Sequence, residues 1–178
     1  MDHSYRQFRS QAEAHEFLKN IGAPARLIRH VSLVGEAAEL LIERIRQIGV
    51  SFDEEFVRLG VAFHDAGKTL HPEELDVKGN RHERAGEELL KRWNVDPALA
   101  RCCVSHGQWQ VMDCSFEELL IALADTLWKG KRNEELEKRV IAGVENLSGR
   151  DKWEMFVELD SHFESIAAGG SDRLARSR

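Results

Sequence analysis

The sequence predicts an all-α fold built as one helical domain. Strand-type alternation is hard to find in the 178 residues, whereas apolar residues recur at steps of three and four, the period of an amphipathic helix. Hydrophobic residues make up 42% of the chain and charged residues 31%, which is a globular balance. A folded chain of this length buries roughly 70% of the surface that it exposes when unfolded, so an ordinary apolar core suffices.

Three helices are predicted in the first part of the chain. The first covers QAEAHEFLKN and stops at Gly22, after which Pro24 can open the second helix, because the first turn does not need the missing N–H. Ser51 and Asp53 offer caps for the third helix, DEEFVRLGVAFHDAGK, which ends near Gly67. The second helix carries one apolar stripe: Leu27, Val31, Val34, Ala38, Leu41, Ile45 and Ile48.

Five more helices are predicted after a short loop. The segment RHERAGEELLKRW is closed by Asn94, and PALARCCVSH follows directly. Ser115 caps FEELLIALADTLWKG, with Glu118 placed to complete a capping box. Two amphipathic helices cover residues 133–147 and 151–168. The tail, residues 169–178, has little to bury and is predicted to be disordered, which leaves residues 1–168 as a single domain.

Charge, apolar runs and cysteine spacing limit the partners and the compartment that the sequence predicts. The net charge is −6, and no cluster of Lys and Arg suggests a surface for a nucleic acid polymer. The longest uncharged apolar run, Leu119 to Ala124, is far too short to span a membrane, and the N-terminus has no signal-peptide core. The three cysteines form no Cys-x-x-Cys motif, which favours a reducing cytoplasm. An anionic substrate would need something other than overall charge to attract it, such as a metal ion.

Position separates the eight histidines into two groups. Half lie in polar or terminal surroundings and are predicted to be exposed bystanders: His3, His15, His71 and His162. The others fall on apolar faces of predicted helices: His30, His64, His82 and His106. Two aspartates lie in similarly apolar segments, Asp65 directly after His64 and Asp125 within LLIALADTLW. Buried carboxylates and imidazoles need partners for their polar atoms. Six such side chains in one core can find these partners by binding metal ions.

The donor types limit the choice of metal. Imidazole and carboxylate without thiolate suit iron, manganese, cobalt or zinc, and disfavour a closed structural zinc site. Neighbours on one helix point about 100 degrees apart, so His64 and Asp65 can reach opposite sides of a metal pair. A carboxylate at that position can bridge two ions.

The pattern resembles the HD-domain superfamily of metal-dependent phosphohydrolases. The core of the resemblance lies in three segments: RHVSLVGEAAELL with His30, VAFHDAGK with His64 and Asp65, and ALADTLWKG with Asp125. Two further segments occupy places seen in the dinuclear branches: RHERAGEELL with His82 and VSHGQW with His106. The resemblance covers residues 26–139 and implies a compact helical bundle.

The resemblance also implies roles for these residues. His30, His64, Asp65 and Asp125 would hold a first metal ion. His82 and His106 would hold a second, bridged to the first by Asp65. If only one ion binds, those two histidines would contact substrate phosphate instead. Lys68, one turn after His64, matches the lysine that meets the substrate in the family.

These expectations describe hydrolysis of a phosphate ester or anhydride, in a nucleotide or a small phosphorylated metabolite. A hydroxide between two metal ions would attack phosphorus, with Asp65 as the bridging ligand and Lys68 balancing charge in the transition state. Arg26, one turn before His30, can assist in binding substrate or form a surface salt bridge. Trp109 and Trp128 flank the proposed ligands, where they can stack a nucleobase or simply pack in the core.

Two other functions fit the same residues. A few HD-domain relatives with this ligand set resemble mixed-valent di-iron oxygenases that act on small polar substrates. The ligand residues determine which metals bind, but they do not determine which reaction is catalysed. A non-catalytic module that binds a metal or senses a nucleotide is the other alternative. Iron content with dioxygen-dependent turnover would favour the first, and nucleotide binding without hydrolysis the second.

Overall fold

The structure, a computed structural model, describes residues 4–177 and confirms the all-α prediction. The only β-type pairing in that part of the chain is a single bridge between Arg6 and Val95. Across residues 4–177, no helix combines the length and the apolar character that crossing a bilayer requires. The α-helices are α1 (Gln11–Asn20), α2 (Ala25–Ile48), α3 (Glu54–Phe63), α4 (Arg81–Arg92), α5 (Pro97–Gln108), α6 (Phe116–Leu127), α7 (Glu134–Ser148), α8 (Lys152–Ala168) and α9 (Gly170–Arg176). Two short 3-10 helices, Ala66–Thr69 and Pro72–Leu75, lie between α3 and α4.

The main core surrounds α6, which packs against α2, α3, α5 and α7. The apolar stripe predicted for α2 is buried from Leu27 to Ile45, and Ile48 packs against the edge of the same core. Burying one such aliphatic side chain stabilises the fold by roughly 1.5–3 kcal/mol. The helices that carry His30, His106 and Asp125 are therefore held by packing on their apolar faces.

A second apolar cluster lies under α1 and secures α3 and α5. Phe8, Phe17 and Phe63 meet edge to face, with ring centroids 5.0–6.1 Å apart. Leu18 and Cys103 complete its buried centre. Edge-to-face packing is the favourable geometry for aromatic rings, so this cluster holds the end of α3 in place, where His64 follows Phe63.

Side-chain caps define the starts of α3 and α6, as the sequence indicates. The Ser115 hydroxyl accepts from the Glu118 N–H at 3.1 Å, and the Glu118 carboxylate accepts from the Ser115 N–H at 2.9 Å. This reciprocal pair is the predicted capping box at the start of α6. Asp53 caps α3 by accepting from the Phe56 N–H at 2.8 Å.

The third helix ends earlier than the sequence predicts. α3 stops at Phe63, and Asp65 leaves the helical conformation with φ −106° and ψ 15° before the 3-10 turn of Ala66–Thr69 begins. A Cβ on Gly67 would overlap the carbonyl oxygen of His82 and lie 2.6 Å from the Gly86 nitrogen. The turn therefore contacts α4 backbone to backbone, which requires glycine and brings Asp65 towards His82.

The prediction of a disordered tail is wrong for residues 170–176, which form α9. The Arg173 side chain is buried and donates to the carbonyl oxygens of Trp128 at 2.8 Å and of Leu127 at 3.3 Å. These carbonyls belong to the end of α6, where a helix leaves backbone acceptors unpaired. The tail is ordered because its guanidinium satisfies those acceptors, a long-range interaction that local composition does not reveal.

We expect Gly67→Ala to lower the free energy of unfolding by about 3 kcal/mol, because the added methyl group collides with the α4 backbone rather than with a movable side chain. Urea denaturation of the two proteins measures the difference. Gly149→Ala is the control: Gly149 has φ 65° but nothing within 4 Å of the added carbon, so this change should cost only about 1 kcal/mol. Equal losses in both variants would refute a close contact at Gly67.

Candidate metal centre

The six side chains singled out in the sequence converge on one cleft of about 530 Å³. Most of them line its wall directly: His30, Asp65, His82, His106 and Asp125. His64 lies just beneath the wall and is fully buried. α2, the end of α3, α4, α5 and α6 each supply at least one of these residues, so the cleft exists only when five segments pack together.

Asp65 occupies the centre of the cluster, with its side chain 2% exposed. Its Oδ2 lies 2.8 Å from His30 Nε2 and 3.5 Å from His64 Nε2. Its Oδ1 lies 3.1 Å from His82 Nε2 and 3.7 Å from His106 Nε2. Each carboxylate oxygen thus faces one pair of histidines, which is the arrangement that a ligand bridging two ions would need.

Asp125 lies on the side of the cluster that holds His30 and His64. Its Oδ1 is 3.5 Å from His64 Nε2 and 3.9 Å from His30 Nε2. Donor atoms within 4.8 Å of one another form three groups that could hold a metal ion: His30 with His64 and Asp65, His64 with His106 and Asp125, and Asp65 with His82 and His106. His64, Asp65 and His106 each belong to two of these groups, so the groups overlap.

Four donor atoms of this cluster are buried without a hydrogen bond. Among the described residues, His30 Nε2, His64 Nε2, His82 Nε2 and Asp65 Oδ1 have no hydrogen-bond partner. Buried polar atoms rarely stay unpaired, because leaving water without a new partner is costly. Nitrogen and oxygen donors that converge in this way fit a divalent transition metal such as iron, manganese, cobalt or zinc.

Hydrogen bonds on the far side of the rings orient two of the histidines. His64 Nδ1 lies 2.7 Å from the Val61 carbonyl oxygen, and His106 Nδ1 lies 3.1 Å from the Cys102 carbonyl oxygen. A carbonyl only accepts, so each Nδ1 carries a proton and each Nε2 is the ring nitrogen that faces the cleft. Metal-binding histidines are commonly held by such a bond.

Glu74 holds His82 and was missed by the sequence analysis. Its Oε2 lies 2.6 Å from His82 Nδ1, and the carboxylate also accepts from the backbone N–H groups of Arg81 and His82 at the start of α4. Burial raises the pKa of Glu74, but the hydrogen bonds from His82 and Arg81 outweigh it and lower the pKa to about 2. Glu74 lies in the short helix Pro72–Leu75, where no periodic pattern distinguishes it from its exposed neighbour Glu73.

Both central carboxylates are held in the ionised form. Burial raises the pKa of Asp65, yet the charge of His64 and the close rings of His30 and His82 hold that pKa well below its usual range. Burial acts in the same way on Asp125, where His64 and then Lys129 reverse the shift and hold the pKa well below normal. Ionised carboxylates are the form that binds cations.

Basic side chains also line the cleft. Lys68 Nζ donates to Asp65 Oδ2 at 2.6 Å, as expected from its place one turn after His64. Lys129 Nζ lies 3.5 Å from Asp125 Oδ2, and Arg26 pairs with Asp76 at 2.7 Å. Lys78 makes no ion pair with any residue between 4 and 177. The cleft wall thus carries cationic side chains beside its carboxylates, although the chain as a whole has net charge −6.

The two tryptophans differ in their positions. Trp128 lines the cleft, with its ring centroid 4.8 Å from that of His30, and its Nε1 has no hydrogen-bond partner among the described residues. Trp109 is buried in the main core, where the Arg139 guanidinium lies 5.2 Å from its ring centroid. Of the two, Trp128 alone is available to a ligand in the cleft.

The four histidines expected to be bystanders stay outside the cluster where they are described. His15, His71 and His162 belong to none of the metal-competent groups within residues 4–177. They are partly buried rather than fully exposed, and His162 Nε2 lies 2.9 Å from the Leu40 carbonyl oxygen. His3 lies outside the described residues.

We expect Glu74→Gln to weaken Mn²⁺ binding about tenfold, because the amide removes the charge that holds the proton on His82 Nδ1. Isothermal titration calorimetry of the metal-free protein measures this affinity. Glu73→Gln is the matched control, since its exposed carboxylate pairs with Arg81 and does not contact His82. Equal affinities of the two variants would show that Glu74 does not orient a ligand.

Comparisons with known proteins agree with this geometry. A family model described as HD domain matches residues 27–142, well over half of the chain. The tRNA (cytidine(56)-2'-O)-methyltransferase of Picrophilus torridus is 26% identical over 148 residues, which cover 83% of this chain and 39% of that protein. The chain thus spans less than half the length of this relative. No solved structure matches the chain. The extent of the family match, with the His and Asp residues of its motif gathered in one cleft, shows that the chain belongs to the HD domain family.

Proposed function

We propose that this protein is a metal-dependent phosphohydrolase that cleaves a phosphate ester or anhydride in a nucleotide or a small phosphorylated metabolite. The observation that carries the proposal is the Asp65 carboxylate, whose two oxygens each face a pair of histidines with buried Nε2 atoms. Most of the HD-domain superfamily are hydrolases.

The ligand roles proposed are those implied by the family. His30, His64 and Asp125 would hold one ion, His82 and His106 a second, and Asp65 would contact both. Metal ions bound there would polarise a phosphoryl oxygen and lower the pKa of a water molecule. The protein's part is to hold the donor atoms in place, through the bonds from His64 and His106 to backbone carbonyls and from His82 to Glu74.

Lys68 is proposed as the residue that meets the transferred phosphoryl group. Its ammonium lies 2.6 Å from Asp65 Oδ2 and its side chain is 14% exposed, so it stands at the boundary between the ligands and the open cleft. A cation fixed at that point stabilises negative charge that develops in the transition state. Arg26 and Lys78, further along the cleft wall, would attract the anionic substrate.

The activity named for the Picrophilus torridus relative belongs to a longer protein. The aligned stretch covers 83% of this chain, so it includes most of residues 27–142, but it covers only 39% of the relative. Methyl transfer is therefore not carried over to this chain. The proposal relies on the HD segment and on the cleft that this segment forms.

We expect Asp65→Ala to abolish both metal binding and phosphatase activity while helix content stays close to that of the natural protein. The change removes the ligand shared by both ion positions but lies at the end of α3, outside the helices themselves. Elemental analysis, hydrolysis of p-nitrophenyl phosphate and circular dichroism provide the three measurements.

Asp113→Ala, in the exposed loop between α5 and α6, is the control and should retain metal and activity. Activity that survives Asp65→Ala would refute the dinuclear mechanism. Iron as the bound metal, with turnover that requires dioxygen and no phosphatase activity, would favour the oxygenase instead.

We expect His82→Ala and His106→Ala each to halve the metal content, from about two ions per chain to about one, because these residues hold the second position. Elemental analysis of protein purified without chelator measures the ratio. His162→Ala, which removes a histidine remote from the cluster, should leave the content unchanged. Unchanged content in the two site variants would instead assign both histidines to substrate phosphate.

A further inference from the structure

We propose that α9 is the specificity wall of the cleft, and that Leu174 contacts an apolar or planar organic group attached to the phosphate of the substrate. This inference rests on the proposed function, because it assumes that phosphate binds at the metal centre. α9 lies outside residues 27–142, the segment that the family model matches. The residues that would select the substrate are therefore separate in sequence from those that would perform the chemistry.

The first support is the way that α9 is fixed to the end of α6. Arg173 is 5% exposed, and its guanidinium donates to the carbonyl oxygens of Leu127, Trp128 and Ile166. Trp128 and Lys129, which line the cleft, belong to the same stretch of backbone. A charged group buried against three acceptors has little freedom to move, so α9 holds a defined position beside the site.

Two further contacts set the orientation of α9. At its start, a Cβ on Gly170 would overlap the Gly130 backbone nitrogen, so the two turns pack directly against each other. At its other end, Arg176 makes a bidentate pair with Glu36 of α2, at 2.8 and 2.6 Å. α2 also carries His30, so α9 spans the two helices that supply His30 and Asp125.

The second support is the chemistry that α9 adds to the cleft. Leu174 lines the cleft and is 39% exposed. Leu75 and Trp128 also line the cleft and are the other large apolar residues of its wall. Lys68, Lys78 and the metal-binding carboxylates supply the polar part.

The third support is the size of the cleft. A volume of about 530 Å³ lies in the range that holds organic ligands of moderate size, and it exceeds what a phosphate group occupies. Apolar side chains beside an anion site favour a ligand that has both an anionic group and an apolar part. A phosphate ester with an apolar or planar substituent fits this wall better than phosphate or a polyphosphate chain does.

The test compares two non-hydrolysable ligands, methylphosphonate and phenylphosphonate, on the Mn²⁺-loaded full chain. Isothermal titration calorimetry gives the Kd of each ligand for the natural protein and for Leu174→Ala. We expect Leu174→Ala to raise the Kd of phenylphosphonate about fivefold and to leave the Kd of methylphosphonate unchanged, since only the phenyl group reaches the apolar wall. Leu40→Ala is the matched control, because Leu40 is 41% exposed on α2 and does not line the cleft.

Each outcome decides the inference. Equal Kd values for phenylphosphonate in Leu174→Ala and Leu40→Ala overturn it, as does an equal weakening of both phosphonates. If neither phosphonate binds the natural protein, the inference and the proposed function fall together. If Leu174→Ala selectively weakens phenylphosphonate while the protein hydrolyses no phosphate ester, the specificity wall stands and the hydrolase proposal fails. The melting temperature of Leu174→Ala confirms that the variant is folded.

Discussion

The Asp65 carboxylate is almost fully buried in the middle of four imidazoles, and a charge in that position must be compensated by neighbouring charges or by ions. Partners for it come from near and far in the chain: Lys68 donates to it at 2.6 Å, α2 brings His30 and α4 brings His82. No one of these helices could hold the carboxylate by itself. The packing of the bundle therefore brings together the groups that compensate one buried charge. This links the stability of the fold to the candidate metal centre.

The glycines of the 3-10 turn and of α4 make that arrangement possible. Gly67 and Gly86 let two stretches of backbone touch, and this contact places Asp65 within 3.1 Å of His82 Nε2. Glu74 then holds the opposite side of the His82 ring. The loop between α3 and α4, which has no regular pattern in sequence, therefore contributes both the close contact and the carboxylate that orients His82.

Sequence reasoning found the parts of this protein that depend on local or periodic signals. The apolar stripe of α2 and the pair of Ser115 and Glu118 predict helices, and the six His and Asp residues found from burial and resemblance lie in one cleft. Sequence reasoning missed the features that depend on contacts between residues far apart in the chain. Glu74 and Glu73 are alike in sequence, and only the folded chain brings one of them to His82. Composition predicts a disordered tail, and only the folded chain shows Arg173 bonded to the end of α6.

The position of Ser177 has a practical consequence for handling the protein. Ser177 lines the cleft, whereas residues 4–9 do not. A polyhistidine segment attached close to Ser177 would lie near the rim of the cleft and bring a run of imidazoles to the side chains that could hold a metal ion. Ions held by such a tag would be counted with those of the protein, and the tag itself would compete for the open side of the centre. A removable tag on the amino-terminal side keeps the cleft free of foreign ligands.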